Sequence, residues 1–234
     1  MKIVMACIAF IASASTALAA SPEPVVTPGP FDPPPAYVSS YGASKVYDWT
    51  GFYLGINGGG AFDKTNWTSS PDNTGGVFNS SGGLVGGTAG YNLQFGQPWV
   101  YSVEADMDWS NIRGSVSPPS CAPCNFTVPW LATVRLRFGY AFGVVLPYVT
   151  GGAAIGGLSA NLAGAPAGTA NSQNLGWTAG GGVEFAITGA LRAKVEYLYI
   201  NLNGFSCYGP CGGGPISFNP SGSVIRAGLN YRLW

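Results

Sequence analysis

The sequence contains no histidine, and only 9% of its 234 residues are charged. A soluble domain usually carries about 25%. Without histidine, Ser-His and His-Asp catalytic arrangements cannot form, nor can an imidazole metal site. Lysine plus arginine number 10 and aspartate plus glutamate 10, so no basic excess exists to neutralise nucleic-acid phosphates. Beyond residue 19 no apolar run approaches the roughly 20 residues a spanning helix needs. Any membrane crossing must therefore use strands. What the chain does have is 47% hydrophobic and 13% aromatic residues, which exclude disorder of the whole, and 36 glycines, about twice the usual share of ~7%.

Lys2 precedes an apolar stretch from Ile3 to Leu18 that closes on Ala17-Leu18-Ala19, a signal-peptidase pattern. Residues 1–19 are expected to be a secretory signal. Residues 20–48 hold seven prolines between Pro22 and Pro35 and are expected to form an extended periplasmic linker. Residues 49–234 read as a barrel domain.

Eight segments there show period-two alternation or Gly/aromatic strand character: 49–60, 83–95, 98–109, 130–142, 146–156, 174–186, 190–201 and 223–234. Their connections alternate. Short turns fall at Gly96-Gln97, Gly143-Val144 and Thr188-Gly189; long connections fall at 61–82, 110–129, 157–173 and 202–222. The pattern predicts an all-β fold, an eight-stranded antiparallel up-and-down transmembrane β-barrel with short periplasmic turns and long external loops. Glycine runs inside predicted strands, such as Gly58-Gly59-Gly60 and Gly180-Gly181-Gly182, suit a small, strongly curved barrel.

The strand charges share one parity. Glu104, Asp106 and Asp108 oppose Trp99, Tyr101, Val103, Met107 and Trp109. Arg135 and Arg137 oppose Trp130, Val134, Leu136 and Phe138; Glu184 opposes Trp177 and Phe185. Arg192, Lys194 and Glu196 oppose Val195 and Tyr197, while Arg226 and Arg232 oppose Ile225, Ala227, Leu229, Tyr231 and Leu233. A soluble barrel would also alternate, with the apolar set inward. Eleven strand charges are too few for a wall facing water, where roughly 25–35% is usual. They also nearly balance in sign, as charges enclosed in a narrow lumen must. They are expected to point inward. The aromatics gather in two bands suited to bilayer interfaces: Trp49, Phe95, Trp99, Tyr140, Phe185 and Trp234 near the short turns, and Trp109, Trp130, Trp177 and Tyr199 near the long connections. The fifth strand is rich in small residues, and its faces stay unassigned.

Removing Cys7 with the signal leaves Cys121, Cys124, Cys207 and Cys211, in two close pairs within long connections. An oxidising compartment favours disulfides, with within-loop pairing preferred among three connectivities. A four-thiolate zinc site and a thioredoxin-like motif are the alternatives. Acid pairs such as Asp106 with Asp108 read as structural ion pairs rather than acid–base catalysts, so neither an enzyme nor a cofactor or metal is expected.

Trp49-Thr50-Gly51-Phe52-Tyr53-Leu54-Gly55 at the opening and Arg226-Ala227-Gly228-Leu229-Asn230-Tyr231-Arg232 at the close resemble the small, opacity-protein-like outer-membrane β-barrel surface proteins of alphaproteobacteria, often labelled porin family. The resemblance covers about residues 49–234. It implies insertion by the outer-membrane barrel assembly machinery, which in that family recognises a C-terminal strand ending in an aromatic. Here Ile225, Ala227, Leu229, Tyr231 and Leu233 keep one parity and Trp234 follows as an extra residue, leaving Leu233 and Trp234 as candidates for the terminal role.

Eight strands enclose an interior that side chains just fill. Little porin conductance is therefore expected. The leading reading is a structural outer-membrane surface protein, with outer-membrane lipids as surroundings, no nucleic acid as partner, and a host or environmental ligand reached only through its loops. The rivals are a small-solute porin and a haemin- or host-binding adhesin, for which a loop tyrosine such as Tyr208 would have to ligate iron.

Overall fold

A computed structural model describes residues 47–69, 74–116, 124–162, 169–208 and 215–233. The expected signal and nearly all of the linker lie outside the described residues. Nine strands form one antiparallel sheet: β1 (Gly51–Ser69), β2 (Thr74–Phe95), β3 (Trp99–Val116), β4 (Cys124–Tyr140), β5 (Val145–Leu162), β6 (Thr169–Ala186), β7 (Leu191–Leu202), β8 (Phe205–Tyr208) and β9 (Pro215–Arg232). From β1 to β7 each pairs with the next, β7 and β8 both pair with β9, and β1 pairs with β9, which closes the sheet. Short β8 continues the line of β7 against β9: Asn201 faces Ser221, and Phe205 faces Phe218 after a one-residue slip. The barrel therefore has the eight staves that the alternation predicts.

The long connections are mostly strand. β2 alone runs for 22 residues, about twice the 9–11 needed to cross a bilayer. Pairs such as Asp63↔Ser80, Lys64↔Asn79 and Thr65↔Phe78 carry the ladder well past the expected end of the first strand. Period-two patterning is blind to such arms, because both of their faces can be polar. The backbone ladder continues regardless.

The short-turn end is built on Gly96 and Gly143, whose φ values of 45° and 61° suit glycine. In the middle of the wall, a Cβ added to inward-facing Gly59 would strike the Ile225 carbonyl and Arg226, whereas outward-facing Gly58 and Gly60 have ordinary room. Gly152 has the same constraint against the Val134 carbonyl. Tight curvature brings neighbouring backbones together on the concave side, so inward glycine is a requirement of space. A register shift at Val128–Trp130 flips the parity of β4, so that Val128 and Leu131 both face inward. Pro129, which has no N–H to offer the ladder, sits in this bulge.

Parity decides burial along every stave. Val103, Val134, Leu136, Val195, Ile225 and Leu229 are exposed, as a lipid-facing wall requires, while the charged residues between them are buried. The fifth strand resolves too: Leu146, Tyr148, Thr150, Ala154 and Leu158 face inward, and Val149 and Ile155 face out.

Candidate functional site: the filled lumen

The bore is occupied by three stacked layers. The middle layer is charged. Glu104, Asp106, Asp108, Arg135, Arg137, Glu184, Lys194, Glu196 and Arg226 are each at most 4% exposed. Glu104 and Asp106 project from β3, and Arg135 and Arg137 from the neighbouring β4. Arg135 reaches Glu104 at 2.5 Å, Asp106 at 2.6 Å and, across the bore, Glu196 at 2.9 Å. Arg137 bridges Glu104 at 2.8 Å and Glu184 at 2.7 Å. Arg226 contacts Glu196 at 2.6 Å, Asp108 at 2.8 Å and Asp106 at 2.9 Å. Lys194 lies 3.1 Å from Glu104. Each cation touches carboxylates from more than one stave, so the layer ties the wall together from within. Buried charges are tolerated only with such multiple, close compensation.

Two tyrosines complete this layer. Tyr53 donates its hydroxyl to Glu104 at 2.7 Å and accepts from Arg137 at 2.9 Å. Tyr148 donates to Glu196 at 3.1 Å, and its ring lies 3.8 Å beneath the Arg137 guanidinium. Thr88 and Thr133 each donate a hydroxyl to Asp106.

Towards the hairpin arms the lumen is closed a second time, by packed apolar side chains. Leu84, Ile112, Leu131, Leu158, Leu198 and Ile200 are all buried there. Towards the short turns the third layer is aromatic. Trp49 is 0% exposed and packs with Val100 and Leu146. Its indole N–H donates to the Gly143 carbonyl at 3.1 Å. Arg192 lies over the Trp49 ring at 5.0 Å and donates to the Trp49 carbonyl and to the Tyr47 hydroxyl. Arg232 donates to the Asp48 carbonyl at 2.7 Å.

Comparison with known proteins agrees with this geometry. A family model described as an outer membrane protein beta-barrel domain matches residues 36–232. The chain belongs to this outer-membrane β-barrel family. A 31 kDa outer-membrane immunogenic protein of Brucella melitensis is 34% identical over 205 residues, covering 80% of this chain and 85% of the relative. A 25 kDa outer-membrane immunogenic protein of Brucella canis is 30% identical, covering 96% and 92%. A 22 kDa outer membrane protein of Rhizobium leguminosarum is 33% identical, covering 64% and 63%. Among solved structures, OprG from Pseudomonas aeruginosa aligns at 15% identity and TM-score 0.47, covering 78% of this chain and 97% of that one. The relatives are named as outer-membrane proteins, not as enzymes. The chain is thus an outer-membrane protein of the alphaproteobacterial small-barrel type.

In this outer-membrane β-barrel, the eleven charges of the expected strand segments all face the inside, but they do not form one set. Arg192 and Arg232 reach no carboxylate among the described residues; they bind aromatic faces, a hydroxyl and backbone carbonyls at the short-turn mouth. Trp49 corrects the expectation of an interfacial tryptophan: it is inside the mouth, not on the wall. The expected first segment begins at 49 but β1 begins at Gly51; Trp49 keeps the odd, inward parity of Tyr53, and the N-terminal approach folds inward to fill the bore. Trp99, Trp109 and Trp177 are exposed on the lipid-facing side. Trp99 stacks on Phe138 at 4.9 Å, Trp177 lies 5.5 Å from Tyr199, and Trp130 lies over Gly157. Trp234, Cys121 and Cys211 lie outside the described residues. Cys124 opens β4 and Cys207 lies in β8. Ile225, Ala227, Leu229, Tyr231 and Leu233 form one exposed row on the last stave. Tyr53, Tyr148 and the apolar layer were missed as lumen elements, although the inward parity of β1 and β7 already contained Tyr53 and Leu198.

Proposed function

We propose that this outer-membrane β-barrel is a structural surface protein: it supports the envelope and carries four long hairpin arms, and it is not a pore. The observation that carries this reading is the filling of the bore by an aromatic, a charged and an apolar layer in series. An ion entering from the arms would meet packed leucine and isoleucine side chains before it met the salt-bridged layer. The rival small-solute porin would need a hydrated path through both.

Insertion by the barrel assembly machinery fits the exposed apolar row of Ile225, Ala227, Leu229, Tyr231 and Leu233. A disulfide at each cysteine-bearing hairpin, Cys121 to Cys124 and Cys207 to Cys211, would brace the arms. Removal of residues 1–19 as a signal leaves the Pro-rich segment on the periplasmic side.

Planar-bilayer recording of the purified full chain tests the closed bore. The expected result is no stable conductance step above the lipid background. Large, long-lived openings would overturn it. Deletion of the gene should increase detergent sensitivity and leakage of periplasmic enzymes, and re-expression of the wild-type chain should reverse both. A strain with an unchanged envelope would remove the structural role.

A further inference from the structure

The lipid-facing wall changes chemistry at the ring formed by Trp109, Trp130, Trp177 and Tyr199. Between the two aromatic rings it is apolar, with Ile56, Val85, Val103 and Leu229 all exposed. At the outer ring one row of paired residues runs Tyr199, Ser223, Phe62, Ser81, Arg113 and Thr127 across six adjoining staves. The row above runs Asn201, Ser221, Lys64 and Asn79. All have the outward parity of their strands. The wall has become a band of hydroxyls and amides.

Lys64 and Arg113 are the charged side chains on this outer wall among the described residues. Both are exposed. The ion pairs among the described residues all belong to the lumen. Lys64 and Arg113 sit on β1 and β3, one row apart, with Asn79 and Ser81 of β2 between them. At about 4.8 Å per strand, their backbones are roughly 10–12 Å apart, so both side chains can grip one bulky anionic group. Among the described residues the carboxylate beside Lys64 is Asp63, which also lines the first of the grooves below; it has inward parity and accepts hydrogen bonds at 3.2 Å from Thr65 and Ser80. Asp72, between β1 and β2, lies outside the described residues.

Two surface grooves meet at this place. One, of about 700 Å³, is lined by Phe62, Asp63, Lys64, Asn79, Ser81 and Tyr199 among others. The other, also about 700 Å³, includes Asn79, Asn111, Arg113, Asn125 and Thr127. They share Asn79. The first joins an aromatic floor to a cation, as a molecule with both acyl and phosphate parts would require.

Long hairpin arms of such barrels face the cell exterior, which places this band among the headgroups of the outer leaflet. We propose that the band centred on Lys64, Asn79, Ser81 and Arg113 is a binding site for the phosphorylated sugar headgroup of an outer-leaflet glycolipid. Lys64 and Arg113 meet its phosphates, the amides and hydroxyls meet its sugars, and Phe62 and Tyr199 meet the start of its acyl chains. This depends on which way the arms point and not on the closed bore. A conducting wild-type protein would overturn the function proposed above and leave this site standing.

The test uses the full chain in neutral detergent and bisphosphorylated lipid A as probe, with binding read by native mass spectrometry. Lys64→Gln and Arg113→Gln should each weaken binding about fivefold, and the double variant about twenty-five-fold, at roughly one surface cation's worth of attraction apiece. Lys64→Arg should bind like the wild type. Dephosphorylated lipid A should bind the wild type no better than the double variant binds the intact probe. An excess of inorganic phosphate should not displace the lipid; displacement would mark a plain anion site and overturn the lipid assignment. Equal binding by wild type and double variant would also overturn it, provided both show the same urea unfolding midpoint.

Discussion

Replacing Arg137 with methionine tests the charged layer directly. Arg137 donates to Glu104 at 2.8 Å, to Glu184 at 2.7 Å and to the Tyr53 hydroxyl at 2.9 Å. The two carboxylates fare differently when it is removed. Glu104 keeps Arg135 at 2.5 Å, Lys194 at 3.1 Å and Tyr53 at 2.7 Å. Glu184 keeps, among the described residues, only the Asn230 amide at 3.1 Å, and its side chain is 0% exposed. Methionine fills much of the vacated volume, so the main loss is a stranded buried charge. Such losses run to about 3–5 kcal/mol. Adding Glu184→Gln removes that charge, and the double variant should recover to within about 1–2 kcal/mol of the wild type, the scale of lost hydrogen bonds alone. Reversible urea unfolding in lipid vesicles, followed by tryptophan fluorescence, measures all three proteins. A single-variant loss below about 1 kcal/mol is the value of a solvent-exposed pair. It would mean that the lumen is wet. A double variant no more stable than the single would also refute the reasoning.

Three further outcomes follow from the same structure. Trp49→Ala should cost about 3–5 kcal/mol in that assay, as for a large buried aromatic, with no gain in bilayer conductance because the other two layers remain. Leu136→Arg, at a position 68% exposed on the wall, should cost about 2–4 kcal/mol in a bilayer; a neutral effect would mean that this face does not meet lipid. Gly152→Val should leave the chain unable to form the compact, heat-modifiable band of a folded barrel, since its Cβ has no room beside the Val134 carbonyl. The same substitution at open Gly60 should fold.

The number of staves, the parity of each charge and the side that faces lipid could all be read from residue order. Alternation is a local property: once Arg135 is in, Val134 and Leu136 must be out. Adjacent-stave partners such as Glu104 and Arg135 followed from β3 and β4 being consecutive antiparallel strands. The hairpin arms were hidden because a strand with two polar faces leaves no alternating signal, and the register shift at Val128–Trp130 was hidden because it reverses that signal.

Closure decided the rest. Arg135 meets Glu196, which lies 61 positions later, and Arg226 meets Asp108 from the opposite direction in the chain. Those contacts depend on strand tilt and on β1 joining β9, which no local pattern encodes. The burial of Trp49 has the same origin. It keeps the inward parity of Tyr53 ahead of β1, but only the finished mouth, with Leu146, Arg192 and the Gly143 carbonyl around it, gives that indole a buried place. Residue order alone determined that this chain keeps its charges away from lipid. The closed barrel determined which of them pair, and that the bore they share is sealed towards the arms by apolar side chains and at the short-turn mouth by Trp49 with Arg192 over its ring.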